Sequence, residues 1–231
     1  MADGYHIDLE RFSLERFRHI LETSELLPGR KVLKERISER FEILESVGIA
    51  NLKELIGVLK TKKRLERFSQ ESGLPKDYLV ILRREANSYM PKPVNLKDIP
   101  GVAPENIERL ASVGIKNTKN LFERARSRSD RAELSKLVEV PGDELLELVK
   151  LSDLARIGGV GPVFARLFYE AGADTLEDLS RWAAVELLER LHTINNEQGY
   201  TKVMANLKDV GHCIETAREL PKVTEYSGGK Q

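Results

Sequence analysis

A single cysteine, Cys213, stands among 231 residues, which excludes an internal disulfide and a thiolate metal cluster and points to a reducing compartment. Aromatic residues are scarce, at 6% with one tryptophan, so the interleaved rings that stack on single-stranded bases have little to draw on. Neither sign of charge prevails: Lys+Arg and Asp+Glu number 37 each and the formal net charge is zero. Without a global basic field, any hold on a polyanion has to come from a local patch. No run approaches eighteen apolar residues, so no membrane span is expected. The opening "MADGYHIDLERFSLERF" lacks the apolar core of a signal peptide, and a cytoplasmic protein with no membrane partner is the expectation. The four histidines (His6, His19, His192 and His212) are scattered, and no metal site or cofactor is expected. There is no P-loop, dinucleotide fingerprint or nucleophile–histidine–acid set, and carboxylates fall in face-patterned pairs such as "ELLEL". The chain does not read as an enzyme, and no catalytic residues are assigned.

What is present is helical periodicity. Hydrophobic residues make up 41% and charged residues 32%, the balance of a globular protein with a heavily charged surface. "LKERISERFEILESVGI" sets Leu33, Ile37, Phe41 and Leu44 on one face, and "DELLELVKLSDL" does the same with Leu145, Leu148, Val149 and Leu151. Strand-like alternation is nearly absent. The fold class is all-α, built from about a dozen short helices.

Internal repetition is the strongest signal. "FEILESVGIANLKEL" matches "IERLASVGIKNTKNL", with Gly48 and Gly114 66 residues apart, and the register continues ungapped through Ser69/Ser135, Pro75/Pro141, Asp77/Asp143 and Leu79/Leu145. A third copy follows at an offset of 58, pairing Ile99, Gly101, Val102, Pro104 and Gly114 with Ile157, Gly159, Val160, Pro162 and Gly172. Gly48, Gly114 and Gly172 each close an apolar run and suit the left-handed residue that ends a helix. Asn51, Asn117 (or Thr118) and Thr175 (or Asp174) follow as candidate N-caps. The prolines of "SYMPKPVNL" interrupt helix, and divide a helical domain over 1–92, carrying the first repeat, from one over 93–231, carrying the other two. Trp182 reads as a core anchor and "YSGGKQ" as a frayed tail.

Two stretches, "DIPGVAPENIERL" and "RIGGVGPVFARLF", place an apolar anchor before a glycine turn and open a helix at once with proline at its first position. The first repeat has no such turn. These passages resemble the helix-hairpin-helix superfamily. More closely, "VPGDELLELVKLSDLARIGGVGPVFARLFYEAGADTLEDLSRW" and the terminal "ARELP" resemble an uncharacterised family catalogued as domain of unknown function number 4332, closest over Leu134–Pro221 with an echo over Arg36–Leu96. The superfamily resemblance implies sequence-independent contact with DNA backbone through the turn; the closer family implies no established activity.

The residues that would make such a contact are Gly159, Val160 and Gly161 with Arg156 and Arg166 in the third copy, and Gly101 and Val102 with Lys97 and Arg109 in the second. Turn amides and the first free amides of the next helix suit a phosphate oxygen. Two basic runs in corresponding parts of the first two repeats add Lys62, Lys63 and Arg64 ("KTKKRLER") and Arg126 and Arg128 ("RARSRSDR"). Against this stand the neutral net charge, Glu105 beside the second turn, and the lack of Lys or Arg directly after either turn. Two readings stay open: a non-enzymatic protein holding DNA or RNA backbone, and a protein-interaction scaffold whose turns only pack helices.

Overall fold

The computed structural model describes residues 4–26 and 28–226. They form an all-α structure in two compact units. No helix among the described residues is long and apolar enough to cross a membrane.

The unit over His6–Met90 contains α1 (Leu14–Thr23), a 3-10 turn (Pro28–Lys34), α2 (Ile37–Ser46), α3 (Leu52–Leu59), α4 (Lys62–Ser72) and α5 (Lys76–Asn87). Its core gathers Phe17, Phe41, Leu44, Leu55, Leu79 and Leu82, all inaccessible to solvent. The rings of Phe17 and Phe41 lie 6.1 Å apart.

The second unit begins at Pro91 and takes in Gly4 and Tyr5 from the start of the chain. It contains a 3-10 turn (Leu96–Asp98), α6 (Pro104–Ser112), α7 (Thr118–Arg124), α8 (Arg128–Val138), α9 (Gly142–Leu154), α10 (Pro162–Glu170), α11 (Leu176–Arg181), α12 (Ala184–Gln198) and α13 (Leu207–Glu219). Helix α9 is its spine: α7, α8 and α10 all pack on it, and Leu145, Leu148, Val149, Leu151 and Leu154 are buried along it.

The repeat seen in the sequence is a repeat of structure. At the 66-residue offset, the bounds of α4 coincide with those of α8, and α3 starts in register with α7. Gly48, Gly114 and Gly172 have φ of 86°, 86° and 84° and close α2, α6 and α10. Asn51, Asn117 and Thr175 then cap α3, α7 and α11 by accepting from the amides of Glu54, Asn120 and Asp178. Thr61 and Ser127 cap α4 and α8 in the same way. Ser69 and Ser135 each donate to a carbonyl five residues on, Leu74 and Val140, both at 2.6 Å.

The first two copies also share a short backbone ladder. Leu52 N–H donates to Phe12 O and Leu14 N–H to Ala50 O; Thr118 N–H donates to Val94 O and Leu96 N–H to Lys116 O. The ladder explains why the first repeat lacks a glycine turn. Between its ladder strand and α2 it carries the whole of α1 and the 3-10 turn Pro28–Lys34, where the second copy has only Leu96–Asp98 and the turn.

Two single residues depart from expectation. Trp182 is half-buried rather than a core anchor, because α11 is only six residues long and stops where the Trp182 amide bonds to Leu179 O. Tyr226, at the head of the expected frayed tail, is held in place as described below; residues 227–231 lie outside the described residues.

The repeat also exposes one imperfect cap. Gly73, which closes α4, has φ of 72°, and its counterpart Glu139, which closes α8, has φ of 54°. A side chain in the left-handed region costs about 1 kcal/mol. Glu139→Gly is therefore expected to raise the urea midpoint by the equivalent of about 0.5–1 kcal/mol, and Gly114→Ala to lower it by at least as much.

Candidate nucleic-acid interface

The two glycine turns have the same build. In the third copy, Ile157 is fully buried as the anchor and the Val160 amide donates back to Ile157 O at 3.0 Å. Gly159 has φ of +87° and Gly101, its counterpart, +74°; both turn tips are exposed. The second glycine has a different standing. Gly161 sits at φ −87°, ψ −175°, which any residue adopts, and a Cβ there would meet nothing within 4 Å. Ala103 in the same place is thus no departure from the turn's geometry: only the first glycine answers to a conformational demand. Helices α6 and α10 both start with proline and neither has a capping side chain. Their first-turn amides, which make up the positive end of the helix dipole, accordingly have no side-chain acceptor, although Asn106 N–H in α6 bonds to Ala103 O at 3.1 Å.

The arginines expected beside the turns are turned inward. Arg156 is 1% exposed. Its Nε donates to Tyr5 O at 3.0 Å, its Nη2 to Gly4 O at 2.7 Å and Pro221 O at 2.8 Å, and its Nη1 pairs with the Asp153 carboxylate. The guanidinium also lies 4.6 Å from the centre of the Phe122 ring. Arg166 is 4% exposed; its Nε donates to Pro100 O at 2.7 Å and its Nη2 to Glu147 Oε1 at 2.7 Å. It also passes within 3.5 Å of where a Gly101 Cβ would be, so it pins the second turn onto α10. Both arginines belong to the fold, and neither presents its charge to solvent.

The remaining candidates lie at the two turns and at the starts of α4 and α8. Lys97 is exposed, and Arg109, also exposed, donates through Nη1 to Glu139 O. Val160 is buried and Val102 half-buried, so each apolar middle residue supports its turn from within. Lys62, Lys63 and Arg64 form the exposed first turn of α4; Arg64 donates through Nη1 to Gly57 O at 3.2 Å, and the Glu66 carboxylate one turn on lies near Lys62. Arg126 and Arg128 flank Ser127 at the start of α8, where Arg128 donates to Tyr226 O. The two basic runs lie in separate units.

Sequence reasoning missed the acceptors that absorb the buried arginines. Asp153 lies three residues before Arg156 and Glu147 nineteen before Arg166; the first spacing is legible as a helical pair, the second depends on α9 packing against α10. It also missed a cleft of about 280 Å3 beside the third turn, lined by Gly159, Val160, Phe164 and Phe168 on one side and Val203, Met204, Val210 and Cys213 on the other. Burial pushes the Cys213 thiol up to about 12, with a smaller contribution from the Asp209 carboxylate. Among the described residues no three His, Cys, Asp or Glu side chains are grouped to hold a metal ion.

The family described as Domain of unknown function (DUF4332) matches residues 100–220. The chain belongs to it. The match begins at the second glycine turn and ends at Leu220, so the DUF4332 region takes in α6 through α13 with both turns. No curated protein and no solved structure matches the chain.

Two outcomes are expected from these placements. Arg156→Met should destabilise the protein by about 3–5 kcal/mol in urea unfolding, because it strands a buried carboxylate and three carbonyls; Arg156→Lys should recover little, since a point charge cannot replace the fork. The Cys213 thiol should resist iodoacetamide at pH 8 in the folded protein and react once unfolded. Because its folded value is raised from 9.0 to about 12, the folded state holds the proton longer, and stability should fall as pH climbs through that window.

Proposed function

We propose that the protein is a non-enzymatic binding protein that holds nucleic-acid backbone without reading sequence. Main-chain amides at its two glycine turns meet phosphate oxygens, and the cations of α4, in the other unit, make a basic contact of their own. The observation that carries this reading is the matched pair of exposed turns, each opening directly into a helix that has no capping side chain. Such a terminus attracts an anion through oriented amides and the positive helix end together. The resemblance of "GGVG" and "PGVA" to helix-hairpin-helix turns supports the same use. Lys62, Lys63 and Arg64 add to it: three cations on the first turn of a helix oppose its dipole by several tenths of a kcal/mol each, so their position presents charge at the expense of helix stability. Contact with phosphates alone positions without specifying sequence.

A second reading, a protein-interaction scaffold, is favoured by the apolar cleft at the third turn, near which Val203 is 75% and Leu207 47% exposed. On that reading the turns serve only to pack helices, as the inward arginines already do.

Fluorescence anisotropy with labelled duplex and single-stranded DNA and RNA, over a series of salt concentrations, separates the two. Binding at low salt that weakens linearly in log salt is expected. Lys62→Glu with Lys63→Glu should weaken it at least tenfold while leaving α4 equally or more stable. Gly161→Glu, at a position with room for a side chain, should weaken it without unfolding the protein. Absence of binding to every strand type at low salt removes the nucleic-acid reading in favour of the scaffold.

A further inference from the structure

The second basic run is already occupied by part of this chain. After α13 the backbone turns extended at Leu220, and the segment Pro221–Tyr226 returns to the start of α8. Glu225 N–H donates to Arg126 O at 2.9 Å. The Glu225 carboxylate accepts from the Arg128 amide at 3.1 Å, at the first position of α8. The Arg128 guanidinium donates to Tyr226 O from Nε at 3.2 Å and Nη2 at 3.0 Å, and Arg131 donates to Glu225 O. Farther in, Arg156 donates to Pro221 O, and the Tyr226 hydroxyl donates to Asp153 Oδ2 at 2.7 Å.

The chemistry of this contact is that of a bound anion. Two carboxylates sit on the N-terminus of the eleven-residue α8, Asp130 through its capping box with Ser127 and Glu225 on the Arg128 amide, and carbonyl oxygens of the segment accept from the guanidinium groups of Arg128, Arg131 and Arg156. The segment has no regular structure of its own, and Lys222, Val223 and Glu225 are exposed. Its middle therefore buries little apolar surface in return for being ordered, while its two ends are tied down, Pro221 O by Arg156 and the Tyr226 hydroxyl by Asp153, so that releasing the segment requires breaking the Tyr226 tie. The internal repeat supplies the comparison. At the corresponding first turn of α4, Lys62 takes the place of Arg128, and there the three cations stand exposed.

We infer that the start of α8, with Arg126, Arg128 and Arg131, is a second phosphate-backbone site, closed in cis by the segment Pro221–Tyr226, whose Glu225 carboxylate and carbonyl oxygens hold the place of phosphate oxygens. Lifting the segment exchanges these acceptors for a polyanion, which engages the same groups with a full charge on each phosphate. The inference rests on the nucleic-acid reading above and adds to it a site and its control.

The test uses the whole 231-residue chain. Anisotropy of a labelled DNA duplex is measured against salt for the natural protein, for Glu225→Ala with Tyr226→Ala, and for that pair combined with Arg128→Glu. Releasing the segment should tighten binding about tenfold at low salt and steepen the log–log salt slope by about one to two, one for each phosphate newly neutralised; Arg128→Glu should cancel both changes. Glu225→Gln, which removes one exposed charge and leaves the packing alone, should give a smaller gain in the same direction and covers the case in which the double variant loses its fold. Equal binding by natural and released chains overturns the closure and leaves the nucleic-acid reading standing. No binding by any of them removes both. A dimer in light scattering that the released variant loses overturns closure in cis, since the segment then seats on a second copy.

Discussion

A single buried guanidinium holds the C-terminal unit closed. Arg156 lies at the end of α9, out of contact with water, and uses its donors on one carboxylate and three main-chain carbonyls: two from the start of the chain and one from the segment after α13. Burying a charge is tolerable only when it is paired and its remaining donors are satisfied, and here the four partners come from three separate stretches of chain. The planar fork suits this task because its donors are held in a fixed geometry. The consequence is mutual dependence. The spine α9, the N-terminal residues Gly4 and Tyr5 and the returning segment at Pro221 keep their places only together. Tyr226, whose hydroxyl proton is held by burial and by the neighbouring Asp153 carboxylate, closes the same cluster from the other side.

Against this frame the three repeats show one scaffold put to different uses. The stop glycine and the N-cap after it recur in all three copies, and the serine that ties one helix to the next loop in the first two, because they answer to local geometry, which a repeat copies whole. What varies is what the scaffold carries at its entry. The first copy fills that place with α1 and a 3-10 turn, the second and third with a tight glycine turn. The first turns of α4 and α8 correspond residue for residue, yet one carries exposed lysines and the other is covered by the chain's own carboxylate.

The all-α class, the register of the repeats, the stop glycines and the caps at Asn51, Asn117 and Thr175 were all legible in the sequence, because each rests on interactions within four or five residues. The fate of the charged candidates was not. Arg156 and Arg166 sit beside glycine turns in the sequence, as a phosphate ligand would, and the sign of their charge is the same whether they face water or Asp153 and Glu147. The meaning of the second turn glycine was hidden in the same way: "GVG" and "GVA" look unequal until the backbone shows Gly161 at an ordinary φ.

The sequence by itself determined the helices, their stops and their threefold echo, since periodicity and capping act over a few residues and leave their marks in order along the chain. Only the tertiary structure decided which cations remain exposed. That outcome depends on acceptors brought in from residues as far away as Gly4 and Pro221, and on the burial of α9 among its neighbours, where an unpaired charge is too costly to leave. It also decided that Tyr226 is anchored, because its partner Asp153 lies 73 residues earlier in the chain, a distance that no local pattern spans.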